Sequence, residues 1–238
     1  MPFFLVNKPK GYTSHDIVEK FRKIFFSEKV WHSWTLDPMA TWLLIIAVWR
    51  SSTKHLWKLL WMDKTYITEI DFSILTDTWD MDFFKKIEKY DFEFSASKNE
   101  KVFLKKEEKN GKEIYYYKIF LKKDKPSLDE IKSKLDLLIP SAILPLTMFS
   151  AKKVKWKKLY ELAREGVDLK LEKEMKINSY EILNYDFPKL TLRLNVWSWT
   201  YIRSIGYWLG QQLGLWWTLT KLHRESIGNI SLKLDKGL

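Results

Sequence analysis

The chain has 238 residues, with 41 Lys and Arg against 30 Asp and Glu, giving a formal charge of +11 at neutral pH. A hydrophobic share of 46% is enough for a core and too high for a disordered chain. With no cysteine, a disulfide framework, a thiol nucleophile and a thiolate metal site are all excluded.

The positive excess favours a polyanionic partner, either nucleic acid or an anionic membrane surface. The apolar start, Met1 to Val6, meets Asn7 and Lys8 too soon for a signal peptide. The longest apolar run, Trp42 to Trp49, is too short to span a bilayer. A soluble, cytoplasmic protein is therefore expected.

Residues 3–6 read as a short buried strand, and Lys8-Pro9-Lys10-Gly11 as a turn. Ser14 is placed to cap a helix whose apolar positions Ile17, Val18, Phe21, Ile24 and Phe25 follow helical spacing. Residues 27–41 read as an irregular polar loop, and 43–48 as a buried strand. Residues 66–75 alternate as a long strand, with Tyr66, Thr68, Ile70, Phe72 and Ile74 on one face. The stretch 83–125 is Lys-rich, with residues 105–111 expected as a hairpin tip before a strand over 114–121. It reads either as a solvated surface insertion or as an arm that touches RNA. Ser127 and Glu130 form a capping box for a helix with Leu128, Ile131, Leu135 and Leu138 inside. Residues 157–165 read as a short helix stopped by Gly166. Residues 190–196 alternate with Leu190, Leu192, Leu194 and Val196 inward, then lead through Arg203 into a helix ending near Leu213. Strands and helices interleave without regular βαβ spacing. The expected class is α+β, with a mixed, mostly antiparallel sheet.

The chemistry narrows by exclusion. The four histidines, His15, His32, His55 and His223, have no zinc-ligand spacing, and no Gly-rich loop is present to cradle phosphate. Asp37 lies between Leu36 and Pro38 in a loop joining two apolar elements, and Pro38 turns it away from helical geometry. Its carboxylate either caps the next turn or serves as a nucleophile or general base. The second role needs a cation to hold it and a pocket to exclude water. Arg203 is a candidate cation, since a guanidinium grips a carboxylate through two hydrogen bonds. It could equally be a surface or phosphate-contacting arginine. Tyr66 could be plain core or a ring that stacks on a base.

Several motifs resemble one family when taken together. They are Asn7-Lys8-Pro9-Lys10-Gly11, Thr13-Ser14-His15-Asp16, His32-Ser33 followed by Thr35-Leu36-Asp37-Pro38-Met39-Ala40-Thr41, Asp63-Lys64-Thr65-Tyr66, Thr76-Asp77-Thr78, Leu159 to Gly166, Thr200-Tyr201-Ile202-Arg203-Ser204 and Leu222-His223-Arg224. In this order they resemble the TruB-type tRNA pseudouridine-55 synthases over roughly residues 3–80 and 126–228, leaving 83–125 as an insertion. The resemblance implies one pseudouridine-synthase catalytic domain over 1–238. It also implies that the C-terminal PUA domain of many relatives is missing. Asp37 matches the catalytic aspartate, Arg203 the arginine that pairs with it, and Tyr66 the tyrosine that stacks on the target uracil. His32, Tyr201 and Leu222 match residues that contact the flipped nucleotide. Lys8, with Pro9, matches a motif beside the site, and Lys8 and Lys64 are expected among the RNA-binding groups. The implied partner is the tRNA T-arm, bound by a monomer without metal, cofactor or membrane. The implied reaction extrudes a uridine at a cost of a few kcal/mol. Stacking on an aromatic ring, worth about 1–3 kcal/mol, offsets much of that cost.

The chain departs from the family in its tryptophans. It has 13 Trp and only 8 Gly, whereas a usual glycine share of about 7% would give roughly 17. Trp31, Trp34, Trp42, Trp49, Trp156, Trp199 and Trp216, with Trp79 and Trp217, stand where the family has glycine. Indoles at 31 and 34 are expected to block RNA or distort Asp37. The surplus fits UGA codons that the source organism reads as glycine and that have been written here as tryptophan.

Overall fold

The computed structural model describes residues 2–76, 78–81, 101–109, 112–120, 125–150, 152–154, 156–167 and 169–232. Strand β1 (Phe3–Lys8) is followed by helix α1 (Ser14–Phe25), β2 (Val30–His32) and β3 (Thr41–Val48). Two single-turn helices, α2 (Arg50–Thr53) and α3 (Trp57–Leu60), lead to β4 (Lys64–Asp71) and β5 (Ile74–Leu75). The hairpin β6 (Lys101–Lys109) and β7 (Lys112–Phe120) precedes α4 (Leu128–Asp136), β8 (Ser141–Pro145), β9 (Lys153–Val154), β10 (Lys157–Lys158) and α5 (Leu159–Arg164). The long strands β11 (Glu172–Asp186) and β12 (Lys189–Val196), helix α6 (Ile202–Leu213), β13 (Thr218–Ile227) and β14 (Ile230–Ser231) complete the chain.

The main sheet runs β1-β3-β13-β4-β12-β11-β8, with β2 added to β3 and β14 to β13. Of the strand pairs of this sheet among the described residues, β13–β3 is parallel and the others are antiparallel. This is the expected mixed, mostly antiparallel α+β sheet. β3 is buried on both faces: Leu44, Ile46 and Val48 join the main core, while Leu43 and Ile45 pack with Ile227. A strand covered on both sides needs a continuous apolar run, which residues 43–48 supply. β12 alternates as its pattern requires, with Leu190, Leu192, Leu194 and Val196 at no more than 1% exposure.

Local competition moved several boundaries. β1 is an edge strand, not a buried one, so Phe3 and Leu5 remain exposed. Within the expected loop 27–41, Val30–His32 pairs with Ile46–Val48 of β3. β4 ends at Asp71 because that carboxylate accepts from the Ser73 backbone N–H and hydroxyl, turning the chain before Ile74. Ile24 and Leu128 lie on the solvent sides of α1 and α4. Residues 157–158 pair with β9, so the helix begins at Leu159. It ends at Arg164, and Gly166 just beyond, with a φ of +79°, suits a helix terminus. β6 extends to Lys109 and pairs with β7 from Lys112, so much of the expected tip 105–111 is strand, and residues 110–111 lie outside the described residues. The remainder of the 83–125 insertion up to residue 100, and residues 121–124, also fall outside them.

The tryptophans leave a mark on the backbone. Trp42, Trp49, Trp79, Trp156 and Trp199 have φ of 80, 63, 66, 75 and 72°. A bulky residue at positive φ is a genuine outlier. Trp49 combines its φ with a ψ of 157°, a region populated essentially by glycine alone. Such residues cost of order 1–3 kcal/mol each. Five of them approach the net stability of a whole domain, about 5–15 kcal/mol. Trp31, Trp34 and Trp216 are not among the positive-φ residues. Trp217 is buried against α6, where a Cβ added at Gly206 or Gly210 would come within 2.8 or 2.6 Å of its ring.

The cap of α1 is Thr13, not Ser14. Thr13 Oγ1 accepts from the Asp16 N–H at 3.1 Å and the Asp16 carboxylate accepts from the Thr13 N–H at 2.7 Å. The buried Ser14 hydroxyl instead accepts the Leu36 N–H at 2.8 Å, beside Asp37. Thr13→Ala is expected to cost about 1 kcal/mol. Ser14→Ala, which orphans a buried donor, is expected to cost about 1–3 kcal/mol. Urea unfolding measures both, and an unchanged midpoint for Ser14→Ala would show that Leu36 is held by something else.

Candidate active site

The loop carrying Asp37 is fastened from several directions. The Ser33 N–H donates to the Ile45 carbonyl at 2.9 Å, the Gly11 N–H to Pro38 at 2.9 Å, and the Ala40 N–H back to Asp37 at 3.0 Å. Lys8 is fully buried, and its ammonium donates to the carbonyls of Pro9, Tyr12 and Pro38 at 3.1, 2.6 and 3.0 Å. Leu36, Met39 and Ala40 are buried around the turn, whereas the Asp37 side chain keeps 32% exposure. The carboxylate is thus the open point of an otherwise closed loop.

Arg203, near the start of α6, reaches that carboxylate. Its Nη2 donates to Asp37 Oδ1 and to the Phe149 carbonyl, both at 3.0 Å. Its Nη1 donates to the Thr78 carbonyl at 3.0 Å and lies 3.2 Å from Asp80 Oδ2. The guanidinium therefore bridges one cleft carboxylate and one buried carboxylate, with the Asp80 side chain 4% exposed. Burial works against the charge of Arg203, but Asp37 and Asp80 outweigh it and hold its pKa above the ordinary value.

A cleft opens over this pair, lined by residues that include Asp37, Tyr66, Tyr201, Arg203 and Leu222. Tyr66 is 7% exposed and faces Arg224, its cross-strand partner between β4 and β13. Burial raises the Tyr66 phenol pKa, opposed by Arg224. Arg224 is fully buried and donates to the carbonyls of Leu43 at 2.9 Å and Trp34 at 3.4 Å. Burial raises the Tyr201 phenol as well. Two further lining residues, Trp34 and Trp199, meet edge to face with ring centroids 4.4 Å apart. The cavity volume is about 70 Å³, small beside the roughly 300–1,000 Å³ of a typical ligand pocket. Asp37 and Arg203 remain paired with both indoles in the cleft wall. Trp31, expected to obstruct it, is not among the lining residues and stacks on His32.

The structure thus gathers five of the expected residues: Asp37, Arg203, Tyr66, Tyr201 and Leu222. It does not bring Lys8, Lys64 or His32 to the cleft wall. Lys8 and Lys64 are corrected from RNA contacts to internal clamps, because a buried ammonium saturated by carbonyls has no free face for phosphate. Lys64 is 2% exposed and donates to the Leu60 and Met62 carbonyls at 2.7 and 2.6 Å and to Ser198 Oγ. Burial, helped by Arg224, lowers its pKa to about 8. His32 has a buried Nδ1 without a hydrogen-bond partner among the described residues. Burial and then the Arg224 charge lower its pKa to about 4. Asp80, Arg224 and Trp199 escaped the site expectations. Asp80 is one of many acidic residues in the chain, and only the fold shows that it faces Arg203. Asp77 lies outside the described residues.

This fold has known counterparts. A Cbf5-Nop10-Gar1 complex contains a chain that matches 97% of this one with a TM-score of 0.64 at 20% identity. A chain in an H/ACA RNP bound to a substrate RNA containing 2'-deoxyuridine matches 97% with a TM-score of 0.61 at 19% identity. This chain spans about half the length of each. These likenesses define the class, the pseudouridine-synthase fold.

Sequence comparison then narrows the class. The model of the TruB family pseudouridylate synthase N-terminal domain matches residues 22–111 and 104–202. The tRNA pseudouridine synthase B of Caldicellulosiruptor saccharolyticus is 34% identical over 232 residues, which is 96% of this chain and 68% of that protein. Those of Protochlamydia amoebophila and Malacoplasma penetrans are 34% and 31% identical and are covered to 75% and 86%. The chain belongs to the TruB family of pseudouridylate synthases.

Two outcomes follow from the electrostatics. Arg203→Met would strand Asp80 in the interior, and breaking such a pair costs about 3–5 kcal/mol, readable by denaturant unfolding. His32 is the second case, because its folded pKa of about 4 lies below the ordinary 6.5. Between those values the unfolded chain binds more protons, so stability falls as pH drops from 6.5 towards 4. His32→Asn should shrink the loss in unfolding free energy measured between pH 7 and pH 5.

Proposed function

We propose that this chain isomerises a uridine in the T-loop of tRNA, at position 55, to pseudouridine, using Asp37 as the nucleophile. The Asp37–Arg203 pair in the cleft carries the reading, since a cation fixes the carboxylate while leaving part of it open to the cleft. The relatives' activity on tRNA and the net charge of +11 support an RNA substrate.

In the reaction the target base leaves its stack and enters the cleft beside Tyr66, Tyr201 and Leu222. Asp37 attacks either the sugar C1′ or the uracil ring. The N1–C1′ bond breaks, the detached base rotates, and C5 bonds to C1′. C5 gives up its proton and N1 gains one, so the product is an isomer of the substrate. Arg203 holds the carboxylate in place before the nucleotide arrives, which lowers the reorganisation the reaction needs. Buried walls keep water from the open sugar intermediate.

The small cleft lined by Trp34 and Trp199 favours a second outcome for the polypeptide as written, tRNA binding without turnover. The test compares this chain with Trp34→Gly/Trp199→Gly, each with and without Asp37→Asn, by tritium release from C5-labelled tRNA. Product is expected only from the glycine form that retains Asp37, with at least a thousandfold loss on Asp37→Asn. Turnover surviving that change would remove Asp37 from the nucleophile role.

A further inference from the structure

The five positive-φ tryptophans have little in common except their backbone. Trp156 is 92% exposed, Trp49 and Trp199 are 46% and 42% exposed, and Trp42 and Trp79 are partly buried. They lie in different surroundings, from the start of β3 and the residue before α2 to the turn between β9 and β10 and the approach to α6. No single packing demand explains them. Apart from Phe26, they are the only non-glycine residues at positive φ among the described residues. A side chain at Trp156 gains almost nothing from packing to offset its strained backbone. At Trp49 the φ and ψ together lie in territory that is essentially glycine's own. Trp217 provides the contrast, because its φ is ordinary and its ring is seated against two helix glycines.

We infer that the backbone at 42, 49, 79, 156 and 199 is a glycine backbone, that the polypeptide made in its own host carries glycine there, and that glycine at 199 opens the cleft over Asp37. Glycine takes positive φ about as readily as negative, so the same chain path becomes free of strain. A host that decodes UGA as glycine would supply these residues from codons written here as tryptophan. At 199 the consequence is also steric, since loss of the indole removes one of the two tryptophan rings that line the cleft. That last consequence rests on the proposed reaction, whereas the backbone inference does not.

Peptide mass spectrometry of the protein from its native host reads the five positions directly. Glycine masses at all five are expected, and an indole mass at 49, 156 or 199 would overturn the inference. A second measurement uses recombinant protein. Trp156→Gly removes strain and almost no packing, so its melting midpoint should rise, by about 2–4 °C for a domain of this size. Trp57→Gly, on α3 and likewise exposed but at ordinary φ, should lower the midpoint. A lower midpoint for Trp156→Gly would also overturn the inference. Neither measurement involves pseudouridine, so its failure is separate from failure of the proposed activity.

Discussion

One buried guanidinium organises the site. Arg203 sits in the interior, where an isolated charge is very costly, and is kept there by two carboxylates and two carbonyls. Of its two carboxylate partners, Asp37 is the one that reaches solvent. Removing Asp80 would leave the arginine short of countercharge, and removing Asp37 would leave the cleft without its one open carboxylate. The pair is therefore a structural ion bridge and a chemical group at once.

The sheet makes that arrangement possible. β13 runs parallel beside β3 and antiparallel beside β4, so Arg224 lies opposite both Trp42 and Tyr66. From there it ties β3 to the loop bearing Asp37 through the carbonyls of Leu43 and Trp34. Lys8 secures the same loop from the N-terminal side. Two buried cations thus shape the backbone around the Asp37 carboxylate, each donating to backbone carbonyls.

The tryptophans conflict with this design locally while leaving its frame intact. The strands pair, the caps form and Asp37 meets Arg203, yet five indoles sit on a backbone suited to glycine and two line the cleft. A sequence that agrees with its fold at most levels and breaks a local rule at scattered glycine-like sites marks those residues as the foreign element.

Residue order alone determined the apolar run of β3, the alternation of β12, the α4 and α6 helices and the motif around Asp37, because each is a local pattern that burial or capping reads directly. It also paired Asp37 with Arg203 through the family resemblance, although 166 positions separate them. It misplaced Lys8 and Lys64, because a lysine motif looks the same whether its ammonium meets phosphate or is enclosed by carbonyls. It passed over Asp80 and Arg224, because their partners are brought to them only by sheet pairing. The partial closure of the cleft was likewise settled by tertiary structure, since only folding places Trp199 against Trp34.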